Sequence, residues 1–149
     1  MERRCLMGQD ILEFKGEFWW LSNFSESKVR LDGAEYRTVE HAYQAAKTTN
    51  VAERQEVMDA PGPRVAKKLG RKVTMRSDWD QVKLQVMEDL LRQKFAAGTE
   101  LAGKLVATGD GQLVEGNWWG DMFWGSCKGV GQNHLGKLLM KIRNDLKPV

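Results

Sequence analysis

With 149 residues, 42% of them hydrophobic and 29% charged, the chain has the size and balance of one globular domain with a buried core, and little room for two. Its formal charge of +3 suits a phosphorylated ligand but is too small for sequence-independent coating of DNA. Two cysteines, Cys5 and Cys127, argue against a disulfide framework and fit a reducing cytoplasm. The start, MERRCLMGQD, has no apolar run behind its arginines, so no secretory signal is expected, and no stretch reaches the ~20 apolar residues that span a bilayer.

In chain order, residues 11–14 (ILEF) and 29–36 (VRLDGAEY) read as short strands, the second stretch folding back on itself at Asp32-Gly33. Between them FWWLSNFSES, aromatic and then polar, reads as a loop. Thr38 caps a helix expected to run to about Lys47, and short helices follow near 51–59 and 63–69, separated by Pro61 and Pro63. The clearest helix runs from Trp79 to Ala97. Its apolar face holds Trp79, Val82, Val86, Leu90 and Phe95, with Ser77 or Asp78 as cap and Gly98 as stop. A helix near 99–105, a strand near 112–115 (QLVE) and a helix from Leu135 to about Leu146 complete an α+β chain in which helix dominates.

Three segments carry candidate chemistry. In TVEHAYQAAK, Glu40, Tyr43, Gln44 and Lys47 share one sector of the helix, while Val39, Ala42 and Ala46 form a small apolar sector. Spacing alone makes the polar sector a solvated face. Glu40 and Lys47, however, are about 10 Å apart along the axis, too far for a surface pair one turn apart and suited to opposite sides of one small ligand. The stretch 117–136 (NWWGDMFWGSCKGVGQNHLG) combines three tryptophans, Asp121 and five glycines, and Gly129-x-Gly131-x-Asn133 leads into the last helix as a candidate phosphate cradle. In FWWLSNF, aromatic faces stand beside Ser22 and Asn23, an arrangement that suits a stacked base whose edge is read by polar groups. The basic run 64–76, with no acid in it, reads either as a solvated face or as a phosphate-attracting patch. Two His and two Cys at scattered positions give no metal-ligand spacing, and neither a nucleophile elbow nor a P-loop is present. His41 reads as structural.

The segments occur in an order that resembles the NADAR (YbiA-like) N-glycosidases. LSNF stands at 21–24, EHAYQAAK at 40–47, and LGRKV followed by DW at 69–79; KF follows at 94–95, ATGD at 107–110, WGD at 119–121, and G-x-G-x-N-x-LG at 129–136 runs into LLMKIR. Thr48, where the family commonly has an aromatic, and the MFWGSC sequence after WGD are departures that bear on substrate identity. The resemblance implies a compact, mainly helical single domain over 11–149 with a small β component, preceded by a flexible extension over 1–10. It also implies hydrolysis of a ribose C1–N bond without a cofactor. Its substrates would be phosphoribosylamino-pyrimidine intermediates of riboflavin synthesis, or ADP-ribose on guanine in nucleic acid.

Carried onto this chain, the resemblance makes Glu40, Lys47 and Asp121 the expected catalytic residues. Ser22, Asn23, Phe24, Tyr43, Gln44, Trp119, Gly120, Gly129, Gly131 and Asn133 are the expected substrate contacts. In one mechanism Lys47, made neutral by burial beside Trp119 or Tyr43, forms a Schiff base at C1 while Glu40 moves protons and Asp121 orients the ribose. In another, Glu40 or Asp121 activates water and Lys47 only binds. A catalytically silent ADP-ribose or nucleotide-binding module is the alternative from a different class.

Overall fold

The structure is a computed structural model that describes residues 8–148. Its chain divides into two compact units: Asn23–Lys94, and the residues that precede and follow it. Helix dominates both, with short strand pairs beside it, as an α+β chain requires.

The unit Asn23–Lys94 begins with a hairpin of β1 (Val29–Leu31) and β2 (Ala34–Tyr36), in antiparallel register Val29↔Tyr36 and Leu31↔Ala34. Asp32 and Gly33 turn it with φ of 48° and 86°, the pair of left-handed residues a tight hairpin turn demands. Next comes α1 (Val39–Ala46), started by Thr38, whose Oγ1 accepts the His41 backbone N–H at 3.0 Å. Asn50 caps α2 (Val51–Met58) in the same manner, and α3 (Pro63–Gly70) opens on proline, whose missing N–H costs nothing in a first turn. The hairpin, α2, α3 and α4 (Trp79–Lys94) all pack on α1. Every residue of α1 is buried, Glu40, His41 and Gln44 included. A helix enclosed by four neighbours has no solvated face, so the spacing-based expectation of one is overturned.

The second unit contains a 3-10 segment, Gly16–Leu21, where a loop is expected from sequence. The strands expected at 11–14 and 112–115 contract to a single parallel bridge, Ile11↔Leu113, closed by Ile11 N–H to the Gln112 carbonyl and Val114 N–H to the Ile11 carbonyl, both 2.8 Å. The unit also holds α5 (Glu100–Ala107), the parallel pair β3 (Gly116–Asn117) and β4 (Ser126–Cys127), and α6 (His134–Leu146). Phe95, Leu105, Leu113, Leu139 and Ile142 are among its buried residues. The helix expected to reach Ala97 ends at Lys94. Just beyond it, the Ala96 carbonyl accepts both the N–H and the hydroxyl of Thr99, and Thr99 Oγ1 in turn caps α5 through the Ala102 N–H. The chain between the helices is thereby committed to starting α5. Of the extension expected over 1–10, residues 1–7 lie outside the described residues; the Gly8 N–H donates to Asp110 Oδ1 at 3.2 Å.

Candidate active site

On α1, one turn separates Glu40 from Gln44, and the Gln44 amide donates to Glu40 Oε2 at 2.6 Å. The two side chains are only 7% and 3% exposed. A carboxylate so enclosed is rare unless it is hydrogen-bonded or put to chemical use. Gln44 packs against α3 at Gly70, where an added Cβ would come within 1.9 Å of Gln44 Oε1 and would displace the amide from its place beside Glu40. The glycine of LGRKV is therefore a space-making residue for the Glu40–Gln44 pair. Asn23 reaches the start of the same helix: its carbonyl accepts the Glu40 N–H at 3.2 Å and its amide donates to Met87 Sδ at 3.5 Å. Asn23 Oδ1 and Gln44 Oε1 are buried and accept no hydrogen bond among the described residues.

Lys47 closes the helix. Its carbonyl is held by the Arg76 N–H at 2.7 Å, and its ammonium lies 5.6 Å from the centroid of the Tyr43 ring, which in turn packs on Trp79 at 5.2 Å. Burial holds the Lys47 ammonium below the usual lysine pKa; the Glu40 carboxylate works against this, while Lys67, Arg71 and Lys83 push in the same direction as burial. Two residues of the basic run 64–76, Lys67 and Arg71, thus lie close enough for their charge to act on Lys47, while Arg64, Lys68, Arg71 and Lys72 are exposed. Arg76, by contrast, is taken up by Asp78 at 2.6 Å. His41 is fully buried between the Thr38 hydroxyl (2.8 Å) and the Ala60 carbonyl (3.1 Å). Because that carbonyl only accepts, Nε2 carries the proton, and burial lowers the pKa of a ring already committed to structure.

The remaining expected site residues lie in the other unit or at its boundary. Ser22 ends the 3-10 segment, its N–H donating to the Trp19 carbonyl at 2.9 Å, and Phe24 is half-buried. Asp121 Oδ1 accepts the N–H groups of Phe123 (3.2 Å) and Trp124 (3.0 Å), and the Asp121 backbone is clasped on both sides by the Asn117 amide. Trp119 is exposed, beside Trp118, and Gly120 turns the chain between Trp119 and Asp121 with φ 89°. Asn133 donates to the Leu113 carbonyl (2.9 Å) and accepts the Glu115 N–H (3.0 Å). The N–H groups of Asn133, His134 and Leu135 donate to the carbonyls of Gly125, Phe123 and Trp124. The start of α6 is therefore satisfied by its own loop and does not stand open as the expected cradle. Gly131 has a packing reason as well, since a Cβ there would meet the Gly125 carbonyl at 2.3 Å.

The NADAR domain matches residues 13–147. The chain belongs to the NADAR family. N-glycosidase YbiA of Escherichia coli (strain K12) is 39% identical over 128 residues, 84% of this chain and 79% of that protein. A riboflavin biosynthesis protein of Vibrio vulnificus is 36% identical over 131 residues, 86% of this chain and 35% of its own length. The NMR structure of E. coli YbiA superposes with a TM-score of 0.81 at 35% identity, covering 95% of this chain and 85% of that one. The expected α+β architecture and membership are borne out, and the relatives' names bear out the N-glycosidase class. Among the described residues no helix is long and apolar enough to cross a membrane.

Three features of these elements were not legible in the sequence. The proximity of Lys67, Arg71 and Lys83 to Lys47 depends on how α3 and α4 flank α1, which no local pattern encodes. Trp79, seen only as part of an apolar face, backs Tyr43. Lys94 is 3% exposed and donates to Ser25 Oγ at 2.8 Å, and burial pushes its ammonium down to about 7. Its place in the KF pair was the available signal.

Proposed function

We propose that this NADAR protein is an N-glycosidase that hydrolyses the ribose C1–N bond of a phosphorylated ribosyl amine, with Glu40 and Lys47 as its reacting groups. The observation that carries this reading is the enclosure of Glu40, Gln44 and a partly desolvated Lys47 along one helix. Support also comes from relatives named N-glycosidase. The two substrate classes implied by the resemblance, phosphoribosylamino-pyrimidines and ADP-ribosylated guanine, both present this bond next to phosphate.

Glu40 donates the proton that opens the ribose ring at its oxygen and takes one back from the nitrogen, leaving C1 as an imine of the base's amine. Neutral Lys47 adds to C1, and Glu40 carries the proton shed by the Lys47 nitrogen to the base's amine, whose bond to C1 breaks as the Lys47 Schiff base forms. Water then adds to the new Schiff base, returning the Lys47 amine and releasing the sugar as its aldehyde, which closes again. Lowering the lysine pKa raises the fraction of nucleophilic amine near neutral pH. Lys67, Arg71 and Lys83 supply positive charge for the phosphate, and Asn23 Oδ1 an acceptor for an N–H of the base. Asp121 orders the 117–124 loop. Incubating the chain with each substrate class and resolving the products by chromatography tests the proposal. Released base from one class, lost in Glu40→Gln, is expected; intact substrate in both would refute it.

A further inference from the structure

The unit containing α5 and α6 has a cavity of about 340 Å³ that includes none of the α1 residues and only Gly129 of the expected contacts. Lys15, Trp118, Ser126, Lys128 and Gly129 line it, together with Glu13, whose carboxylate is 3.8 Å from the Lys15 amine. Pockets for small ligands run from roughly 300 to 1,000 Å³, so this one, at the small end, has room for a single nucleotide. Two features of its wall cost stability without repaying it in packing. The Trp118 indole is 76% exposed, which forgoes the burial its area offers. Lys128 occupies a left-handed conformation (φ 53°) as the first central residue of a tight turn; its partner is Gly129 (φ 79°), and Cys127 and Val130 close the turn through reciprocal hydrogen bonds of 2.8 and 3.0 Å. Asparagine or glycine is the unstrained choice at that place, and strained side chains held rigidly in this way cluster at binding sites.

We propose that this cavity is a nucleotide site in which a base stacks on Trp118 and its phosphate is held by Lys128 and Lys15. Aromatic faces take any base, and amines on the wall of the same cavity take a phosphate without reading sequence. Glu13 partly offsets Lys15, which leaves Lys128 as the main phosphate contact. The ligand chemistry is one base with one neighbouring phosphate, supplied by a free nucleotide or by one unit of a single-stranded nucleic acid. The site does not depend on which ribosyl amine is cleaved.

The test follows the six tryptophan indole N–H signals of the full chain by NMR, with Trp118 assigned from the signal missing in Trp118→Phe. Guanosine monophosphate and a ten-nucleotide single strand are titrated separately. Saturable movement of the Trp118 signal is expected, with affinity at least about tenfold weaker in Lys128→Glu; in Trp118→Ala, which lacks that signal, binding is followed by the indole of Trp119, 5.7 Å away, and should also be at least about tenfold weaker. The other indole signals report whether each variant stays folded. Tighter binding of the oligonucleotide than of the nucleotide by about tenfold or more assigns the site to nucleic acid; any smaller gain, or weaker binding, assigns it to free nucleotide. A Trp118 signal unmoved by both probes, or moved only by raising the protein concentration as self-association would do, overturns the proposal. So does binding that Trp118→Ala leaves intact.

Discussion

Helix α1 and the loop 116–133 use polar side chains in opposite ways. In α1, Glu40 and Gln44 are buried and bonded to each other, and Lys47 at its end is partly stripped of water. In the loop, Asp121, Asn117 and Asn133 spend their oxygens and amides on nearby backbone, while Trp118 and Trp119 face solvent. Burying ionisable groups is expensive, and α1 sustains it because α2, α3, α4 and the hairpin enclose it. The loop's polar groups are instead the means by which a segment with little regular structure holds its shape. Thus polar residues of equal promise in the sequence divide into an enclosed set, proposed here as the reacting groups, and a set that orders its own loop.

The largest effect expected from this contrast is on turnover. Lys47→Ala should lower kcat at least roughly a thousandfold with little change in thermal stability, because Lys47 only ends the helix. Glu40→Gln, nearly the same shape, should cost about 10²–10⁴ in kcat. Asp121→Asn retains an Oδ1 to accept the two loop amides and should cost less than about tenfold. Steady-state rates on the cleaved substrate check all three, and a severe loss in Asp121→Asn beside a mild one in Glu40→Gln would invert the comparison.

The pH dependence sharpens it further. Activity through neutral Lys47 should rise with pH, with the rise lying below the ordinary lysine range because burial lowers this pKa. Arg71→Ala removes a positive charge that disfavours the ammonium, so the rising limb should move to higher pH; an unmoved limb would detach Arg71 from Lys47. Lys94 gives a stability signature instead. Its folded pKa of about 7 is below that of an unfolded lysine, so between the two values the unfolded chain binds more protons and stability rises with pH. Denaturant midpoints of the wild type should gain on those of Lys94→Met from about pH 7 toward pH 10, and parallel curves would contradict the burial of that amine.

Much of the fold near α1 was legible because local chemistry decides it. Thr38 as cap, Asp32-Gly33 as turn, and the break at Pro61 and Pro63 all stand where the residues imply. Expectations failed where distant partners decide. Ile11 and Leu113 keep one bridge and not two strands, and Thr99 claims the Ala96 carbonyl before α4 can extend. For the site, spacing identified the shared sector of Glu40, Gln44 and Lys47 but not its burial, which belongs to the neighbouring helices. Nor did glycine spacing before α6 reveal that the loop carbonyls already occupy the helix's first amides. The smallest predicted effect concerns the legible part: Thr38→Ala should cost about 1 kcal/mol of stability, read from the denaturant midpoint.

The central claim, that Lys47 becomes covalently joined to the sugar, is tested most directly by adding borohydride during turnover and mapping the product by mass spectrometry. A reduced sugar adduct is expected on the peptide bearing Lys47, absent in Lys47→Ala. Complete turnover by the wild type with no adduct anywhere on the chain would contradict it and leave Glu40 activating water as the mechanism.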